Sequence, residues 1–462
     1  MPFKISKFFL YASIFCVALV TTSTLFPFIV GKYTWFRASV FLGLIFFLIG
    51  LLSDPRADHY LNRIKRLFRS PMVIAVSAFA FMFLLAGFLG VDPQNSFWSN
   101  FERGEGGLQI LTLYIFFLLL ATLFDEEREW LKLFKCSLVV ALLMIGYGVL
   151  ALLQTPGVIG PSVLSAGDRF QGSIGNASYV AVYLIFALFY ALYLLFTEYR
   201  EKLKSAGAIL IMLSSAIYLV FFFLAGTRGS FAGLGAAALV FFVYLGIADK
   251  KRRKTILVIL SAAIFLLALG FVLRNHNFIK NSPVSRVYEI TFNAQTFSDR
   301  RIIWKMAWDG FMANPLLGVG PENFLYVFDH YFNPAYYQPP AAFGAWFDRA
   351  HSIIFDYLAE TGILGFLSFA SIFAVFYGML FRKKIATPEN QNSGHPDHRR
   401  LSRFSHLPAA ARALVFSILI AYLIQGLVLF DILPTYINLF TIFAFATYLF
   451  LPNQIKNENR HE

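Results

Sequence analysis

Apolar runs of about 18 residues or more recur along this 462-residue chain, each long enough to cross a hydrocarbon core of roughly 30 Å. They predict about twelve membrane-spanning helices, near 8–30, 35–52, 72–90, 108–124, 136–154, 177–196, 206–225, 230–247, 255–273, 353–381, 412–430 and 434–451. The pattern breaks once on a large scale. Between Arg274 and Ala350 polar and aromatic residues replace the apolar runs, which predicts one large loop between the ninth and tenth spans. The expected organisation is nine spans in 1–273, a loop with short helices in 274–350, and three spans in 351–462 with a linker near 382–411. The fold class expected is an all-α polytopic membrane protein.

Composition agrees with that pattern. Hydrophobic residues make up 58% of the chain and charged residues 14%, against roughly 25% charged in soluble domains. A net charge of +13 could suggest nucleic acid, but its distribution argues for a bilayer partner and no nucleic acid. Arg56, Arg63, Lys65, Arg66 and Arg69 follow the second span, Lys250 to Lys254 the eighth, and Arg382, Lys383 and Lys384 the tenth. Basic residues concentrated in alternate loops mark the cytoplasmic side, so both termini are expected in the cytoplasm and the large loop outside. The first run, Phe8–Val30, lacks an Ala-x-Ala-like exit and is read as a retained helix. Cys16 and Cys136 lie in predicted spans with no zinc-type spacing.

The segment 387–403 is polar and reads as a linker; His395, His398 and His406 there are read as solvated, because nothing enforces ligand geometry. Candidate chemistry lies on the opposite side. Gly226-Thr-Arg-Gly-Ser-Phe-Ala-Gly233 is a tight turn that puts Arg228 at the edge of the hydrocarbon, where an ionisable residue usually faces a partner or a wet cavity; an arginine snorkelling to lipid headgroups would look the same. Arg169 and Asn176 lie on the same outer face, before span six. A loop salt bridge would account for Arg169. The sequon Asn176-Ala-Ser178 is discounted because it opens a span. In the large loop, Ser298-Asp299 predicts a helix start, and helical spacing puts Arg301, Trp304, Trp308 and Phe311 on one face. Interfacial burial explains the tryptophans but not the Arg300-Arg301 pair. The aromatic residues Tyr331, Phe332, Tyr336, Tyr337, Phe343, Trp346 and Phe347 suit either glycan stacking or interfacial burial. His351 then opens a helix; neighbouring arginines would favour its neutral form, a base for a hydroxyl acceptor. An interfacial His bonded to a carbonyl is the plain structural alternative.

These residues resemble the O-antigen ligase and polymerase-like superfamily of bacterial membrane glycosyltransferases. The likeness rests on Thr-Arg-Gly-Ser230, on the Arg-x-x-Trp304 helix leading to Asn-Pro-Leu-Leu-Gly-Val-Gly-Pro-Glu-Asn-Phe324, and on His351-Ser with Leu-Ala-Glu-Thr-Gly-Ile-Leu-Gly365, in that order around one outer loop, over about 165–380. Ser352 stands where the family usually has Asn. The resemblance implies a GT-C-like membrane fold in the bacterial inner membrane and a role in lipopolysaccharide biosynthesis. It implies transfer of a glycan from an undecaprenyl diphosphate carrier to an acceptor hydroxyl such as lipid A–core, on the periplasmic face. The implied reaction inverts the anomeric centre, with no metal and no cofactor. It implies His351 as base and Arg228, Arg301 and, less directly, Arg169 as diphosphate ligands, with Arg300, Trp304, Glu360 and Asn176 in support. A polysaccharide polymerase or a protein O-oligosaccharyltransferase of the same superfamily would share this donor chemistry. A polytopic transporter or flippase is the alternative of another class, but it would be expected to show repeated halves and polar sites near the midplane.

Overall fold

A computed structural model of the chain describes residues 1–153, 169–280, 282, 285–288, 295–334, 346–381 and 402–451, with the side chains of 295–298 excepted. Tyr336, Tyr337, Phe343, His395 and His398 lie outside the described residues. Among the described residues the elements are helical, with no strand. The helices are α1 (Pro2–Ser13), α2 (Val30–Ser53), α3 (Ala57–Leu67), α4 (Pro71–Phe88), α5 (Pro93–Trp98), α6 (Gly107–Leu123), α7 (Glu127–Leu152), α8 (Ala177–Phe196), α9 (Ala206–Ala225) and α10 (Arg228–Ala248). They continue as α11 (Arg253–Val272), α12 (Asn277–Lys280), α13 (Ser285–Tyr288), α14 (Gln295–Ala313), α15 (Phe324–His330), α16 (Ile353–Phe381), α17 (Arg403–His406), α18 (Ala409–Gly426) and α19 (Leu433–Phe450).

Among the described residues ten helices are long and apolar enough to cross a membrane, where about twelve spans were expected. The two that differ are instructive. The span near 108–124 is α6, which at 17 residues is slightly short. The span expected near 8–30 begins earlier and stops earlier: α1 passes into a 3-10 turn, Ile14–Ala18, and Leu19 is extended. Past the stop the backbone turns back on itself between Thr21 and Pro27. The backbone N–H of Thr21 bonds to the Pro27 carbonyl at 2.9 Å and that of Thr24 to Thr21 at 3.1 Å, closing a loop where a helix would otherwise continue. The Pro2–Ala18 stretch still runs the depth of the bundle, from an ion pair between Lys7 and Glu129 at one end to a bond from Ser173 Oγ to the Val17 carbonyl, 2.7 Å, at the other.

The core is built around α8 and α19. In their apolar windows 83% and 94% of residues are buried, against 11% for the α11 span, so the first two are wrapped by protein while α11 faces outward as a lipid-exposed helix does. Tyr190 Oη donates to Asn438 Oδ1 at 2.9 Å and joins the two central helices. Helix α10 approaches α18 closely because its contact face is small: a Cβ on Gly233 would lie 2.7 Å from the Ala421 carbonyl oxygen, and one on Gly229 2.8 Å from Val428. Glycines four apart give such backbone-to-backbone packing in membranes.

Helix α16 is broken at Gly362, which has φ 63° and ψ −170°. The carbonyls freed by the break are satisfied by Pro315–Gly320: Val319 N–H bonds to Ala359 O at 3.0 Å, Gly320 N–H to Glu360 O at 2.9 Å, and Ile363 N–H to Pro315 O at 2.8 Å. Gly318 (φ 67°) faces the Ala359–Glu360 backbone and Gly362 faces Leu316, both too closely for any Cβ. The glycines of the two motifs therefore interlock, and they hold the large loop against the start of α16.

Gly233→Leu is expected to cost about 1–3 kcal/mol through overpacking, read as a lower unfolding temperature of the detergent-purified protein. Gly235→Leu, at a position where a Cβ meets nothing within 4 Å, is expected to leave it unchanged.

Candidate functional site

The end of the bundle that carries the large loop gathers most of the buried charge. Arg349 lies at the centre, 7% exposed. Its Nη1 donates to both Glu360 carboxylate oxygens at 2.7 and 2.8 Å, and its Nη2 is ion-paired with Glu322. Burial opposes the charge on Arg349, but the Glu322 and Glu360 carboxylates outweigh it and hold the guanidinium protonated. Glu360 Oε1 also accepts from the Glu322 backbone N–H at 3.1 Å, and Ser99 Oγ donates to Glu322 Oε2 at 2.6 Å. The turn Pro321-Glu322-Asn323 is seated on α5: Asn95 Nδ2 donates to Glu322 O at 2.8 Å, and Asn323 Nδ2 donates to Ser96 Oγ at 3.0 Å.

His351 follows two residues after Arg349. Its backbone is left-handed, φ 55°; among the described residues the other non-glycines with positive φ are Ser99 and Glu322. All three belong to this one network. Such backbone costs on the order of 1–3 kcal/mol and persists where its surroundings over-determine it. Here Ala350 is fixed from both sides: its N–H donates to Asp356 Oδ1 at 2.5 Å and its carbonyl accepts from Trp304 Nε1 at 3.1 Å. Trp304 in turn stacks on Phe355, with centroids 5.3 Å apart.

The His351 ring sits between the edges of Phe347 and Phe430, at 4.9 and 5.0 Å. Its Nδ1 is 3.1 Å from the Arg349 carbonyl. A carbonyl only accepts, so Nδ1 carries the proton and Nε2 keeps its lone pair free. Burial pushes the His351 pKa down from its ordinary value, and the positive charges of Arg300 and Arg103 push the same way, against the Arg349 carbonyl and Asp348. The result is a neutral imidazole near pH 7. Arg103 is itself fixed by Asp348, Nε–Oδ2 2.5 Å and Nη2–Oδ1 2.9 Å, and lies over the Phe430 ring at 5.1 Å. Glu105 is buried and accepts from the Leu433 N–H at 2.9 Å; burial raises its pKa to about 8.

The α14 helix presents Arg300, rather than Arg301, to His351. Its buried face is Ile303, Met306 and Ala307, and Arg300 shares that face at helical spacing. Arg301 and Trp308 are exposed, so the face expected through Arg301, Trp304, Trp308 and Phe311 is rotated by about one residue. The physical reason is that Ile303 and Ala307, packing against α15 and α16, outcompete Trp308 for the interior. Arg228 opens α10, and Arg169 stands beside the same turn, since Phe170 N–H bonds to Leu224 O at 3.3 Å and its ring packs on Phe221 at 4.5 Å. Burial lowers the Arg169 pKa, and the charges of Arg286 and Arg228 lower it further. Val428 touches the turn at Gly229, Gly426 meets Ile353, and Phe430 meets His351, so the segment after α18 links the arginine turn to the histidine. Asn176 caps α8, its Oδ1 accepting from the Ser178 N–H at 2.8 Å. Among the described residues no cluster of three or more His, Cys, Asp or Glu could hold a metal ion.

Sequence reasoning singled out Arg300 and Glu360 only as supports, left the place of Asp356 open, and passed over Arg103, Glu105, Glu322, Asp348, Arg349 and Arg286. One signal was available: Asp348-Arg349 stands immediately before Ala350-His351, a charged pair at the edge of an apolar span.

Residues 213–370 match the family model described as O-antigen ligase. The match runs from within α9 into α16, and so takes in Arg228, Arg300, Glu322, Arg349, His351 and Glu360. It bears out the resemblance to the O-antigen ligase-like superfamily. No curated protein matches the chain.

Arg349→Met would leave two buried carboxylates unpaired and is expected to destabilise the protein by about 3–5 kcal/mol, read as a marked drop in unfolding temperature. Arg300→Gln removes a positive charge that disfavours imidazolium. The His351 pKa, followed by NMR of ring-labelled histidine, is therefore expected below 6.5 in the wild type and higher in the variant.

Proposed function

We propose that the protein is an O-antigen ligase-like glycosyltransferase of the bacterial inner membrane. Its substrate is a glycan carried on undecaprenyl diphosphate, transferred to an acceptor hydroxyl of lipid A–core on the periplasmic face. The observation that carries this reading is the placement of His351, its Nδ1 3.1 Å from the Arg349 carbonyl, with Arg300 on the same end of the bundle as the turn of Arg169 and Arg228. The family match over 213–370 supports the same class of reaction. Basic residues follow α2 and α10, and the amino group of Met1 bonds to Asp54 at the end of α2 at 2.9 Å, which supports a cytoplasmic N-terminus by the positive-inside rule.

In the proposed step, His351 Nε2 takes the proton of the acceptor hydroxyl as its oxygen attacks the anomeric carbon. The bond from that carbon to the diphosphate oxygen breaks, and undecaprenyl diphosphate leaves with the electron pair. Negative charge gathers on the leaving group, where fixed guanidiniums stabilise it without reorganising. Arg228, Arg169 and Arg300 supply those charges, and the forked guanidinium matches phosphate in a way that an ammonium does not. Asp348 and the Arg349 carbonyl hold the imidazolium formed in the step. Glu360, through Arg349, and Asp356, through Ala350, position His351. No metal enters the step.

The test is transfer in proteoliposomes supplied with carrier-linked glycan and lipid A–core, with donor and products followed by mass. Wild-type protein is expected to form glycosylated lipid A–core, undiminished by EDTA. His351→Ala should abolish transfer while the protein still inserts, and Arg228→Lys should be impaired at least tenfold. Growth of the carrier-linked chain would identify a polymerase, and an intact donor with every acceptor would remove the enzyme reading.

A further inference from the structure

We infer that α3 is an interfacial helix that binds the anionic phospholipid headgroups of the cytoplasmic leaflet, at a site separate from the large loop and independent of the transferase reading. Its sequence, Ala-Asp-His-Tyr-Leu-Asn-Arg-Ile-Lys-Arg-Leu67, is amphipathic. It stands between the end of α2 at Ser53 and the start of α4 at Pro71. Both of those helices are long enough to cross the bilayer, so the chain holds α3 at the membrane boundary from either side. One face is fixed to the bundle, where Tyr60, Arg63 and Leu67 are buried. The Tyr60 ring packs on Phe3 of α1, with centroids 4.4 Å apart. Arg63 reaches the C-terminal end of α6, where its Nε and Nη2 donate to Ala121 O at 3.0 and 2.8 Å and Nη2 also donates to Phe124 O at 3.3 Å. Carbonyls left over at a helix end thus fix the rotation of α3 about its own axis.

That rotation decides what the opposite face presents. Leu61, Lys65 and Phe68 follow one another at helical spacing, with Arg69 next to them. Leu61 and Phe68 are 41% and 49% exposed, and Lys65 and Arg69 are exposed as well. Among the described residues the other cations of this segment are engaged: Arg56 with Asp54 at 3.0 Å, Arg63 with α6, and Arg66 with the Asn62 carbonyl at 3.4 Å. The side chains of Lys65 and Arg69 hold no hydrogen bond or ion pair there. The exposed Asp58 stands at the other end of α3, about 10 Å of helix rise from Lys65. Attraction to the negative end of the helix dipole accounts for Lys65 and Arg66. It does not account for two large apolar side chains turned outward beside them. An interfacial helix does: Leu61 and Phe68 enter the acyl boundary while Lys65 and Arg69 extend to phosphate. Phosphatidylglycerol has the matching charge, and each Lys or Arg so placed strengthens attraction to an anionic leaflet about fivefold.

The experiment uses the full-length protein in phosphatidylcholine vesicles, with Phe68→Trp as a local fluorescent reporter read against the six native tryptophans of the parent protein. A minor share of the lipid is phosphatidylglycerol brominated on its acyl chains or, in a parallel sample, brominated phosphatidylcholine. Both lipids are expected to quench the reporter, phosphatidylglycerol more strongly. Its relative affinity should fall about fivefold in Arg69→Gln and to near parity in Lys65→Gln/Arg69→Gln, and raised salt should weaken it in the parent. Lys251→Gln, in the loop after α10, should leave it unchanged. Unfolding temperatures check that each variant is folded. Equal quenching by the two lipids, or a preference that survives the double substitution, would overturn the headgroup site. Quenching by neither would overturn the interfacial placement, with blue-shifted emission then assigning this face to a second copy of the chain and red-shifted emission to water.

Discussion

The buried pairing of Arg349 with Glu322 and Glu360 is the constraint on which the rest of the loop end depends. It joins three segments distant in sequence: the turn after α14, the residues leading to His351, and the first half of α16. Replacing a buried ion pair with apolar residues is often neutral for stability, whereas removing one partner is costly. The value of this triad is therefore best sought in what it holds still. His351 and Glu322 both have left-handed backbone, and a strained histidine stays in place only if its neighbours leave it no alternative.

That network depends in turn on a break in a helix. A continuous α16 would satisfy its own carbonyls and offer none to the loop. With the break at Gly362, the carbonyls of Ala359 and Glu360 accept from Val319 and Gly320, and the side chain of Glu360 is presented to Arg349. Irregular backbone at a membrane boundary is tolerated where protein covers it. Here α5 and the 315–323 segment provide the cover. The central helices α8 and α19 supply the rigid background, and Tyr179, at the outer start of α8, packs on the same Phe430 ring that flanks His351.

Much of this was legible in the sequence, and the failures have physical causes. Long apolar runs located the spanning helices because span length is set by the bilayer. The first run misled because its threonines and Pro27 close a loop that hydropathy does not register. The motifs Leu-Leu-Gly-Val-Gly and Glu-Thr-Gly-Ile-Leu-Gly were visible as turn-rich segments, but that their glycines interlock is a long-range fact with no local signature. His351 stood out because a lone histidine at a span boundary is conspicuous. The Arg-x-x-Trp motif of the resemblance and the tryptophan spacing both point to Arg301, whereas the smaller Ile303 and Ala307 mark the buried face and leave Arg301 exposed. Arg103, Glu105 and Arg286 come from other segments altogether, and no spacing rule brings them to the site.

The most direct measurement is the anomeric configuration of the bond formed by the reconstituted protein from a carrier-linked glycan of known configuration, read by NMR of the product. A single displacement with His351 as base predicts inversion. Retention would require a covalent glycosyl intermediate and a nucleophile in place of a base, and would contradict the role assigned to His351.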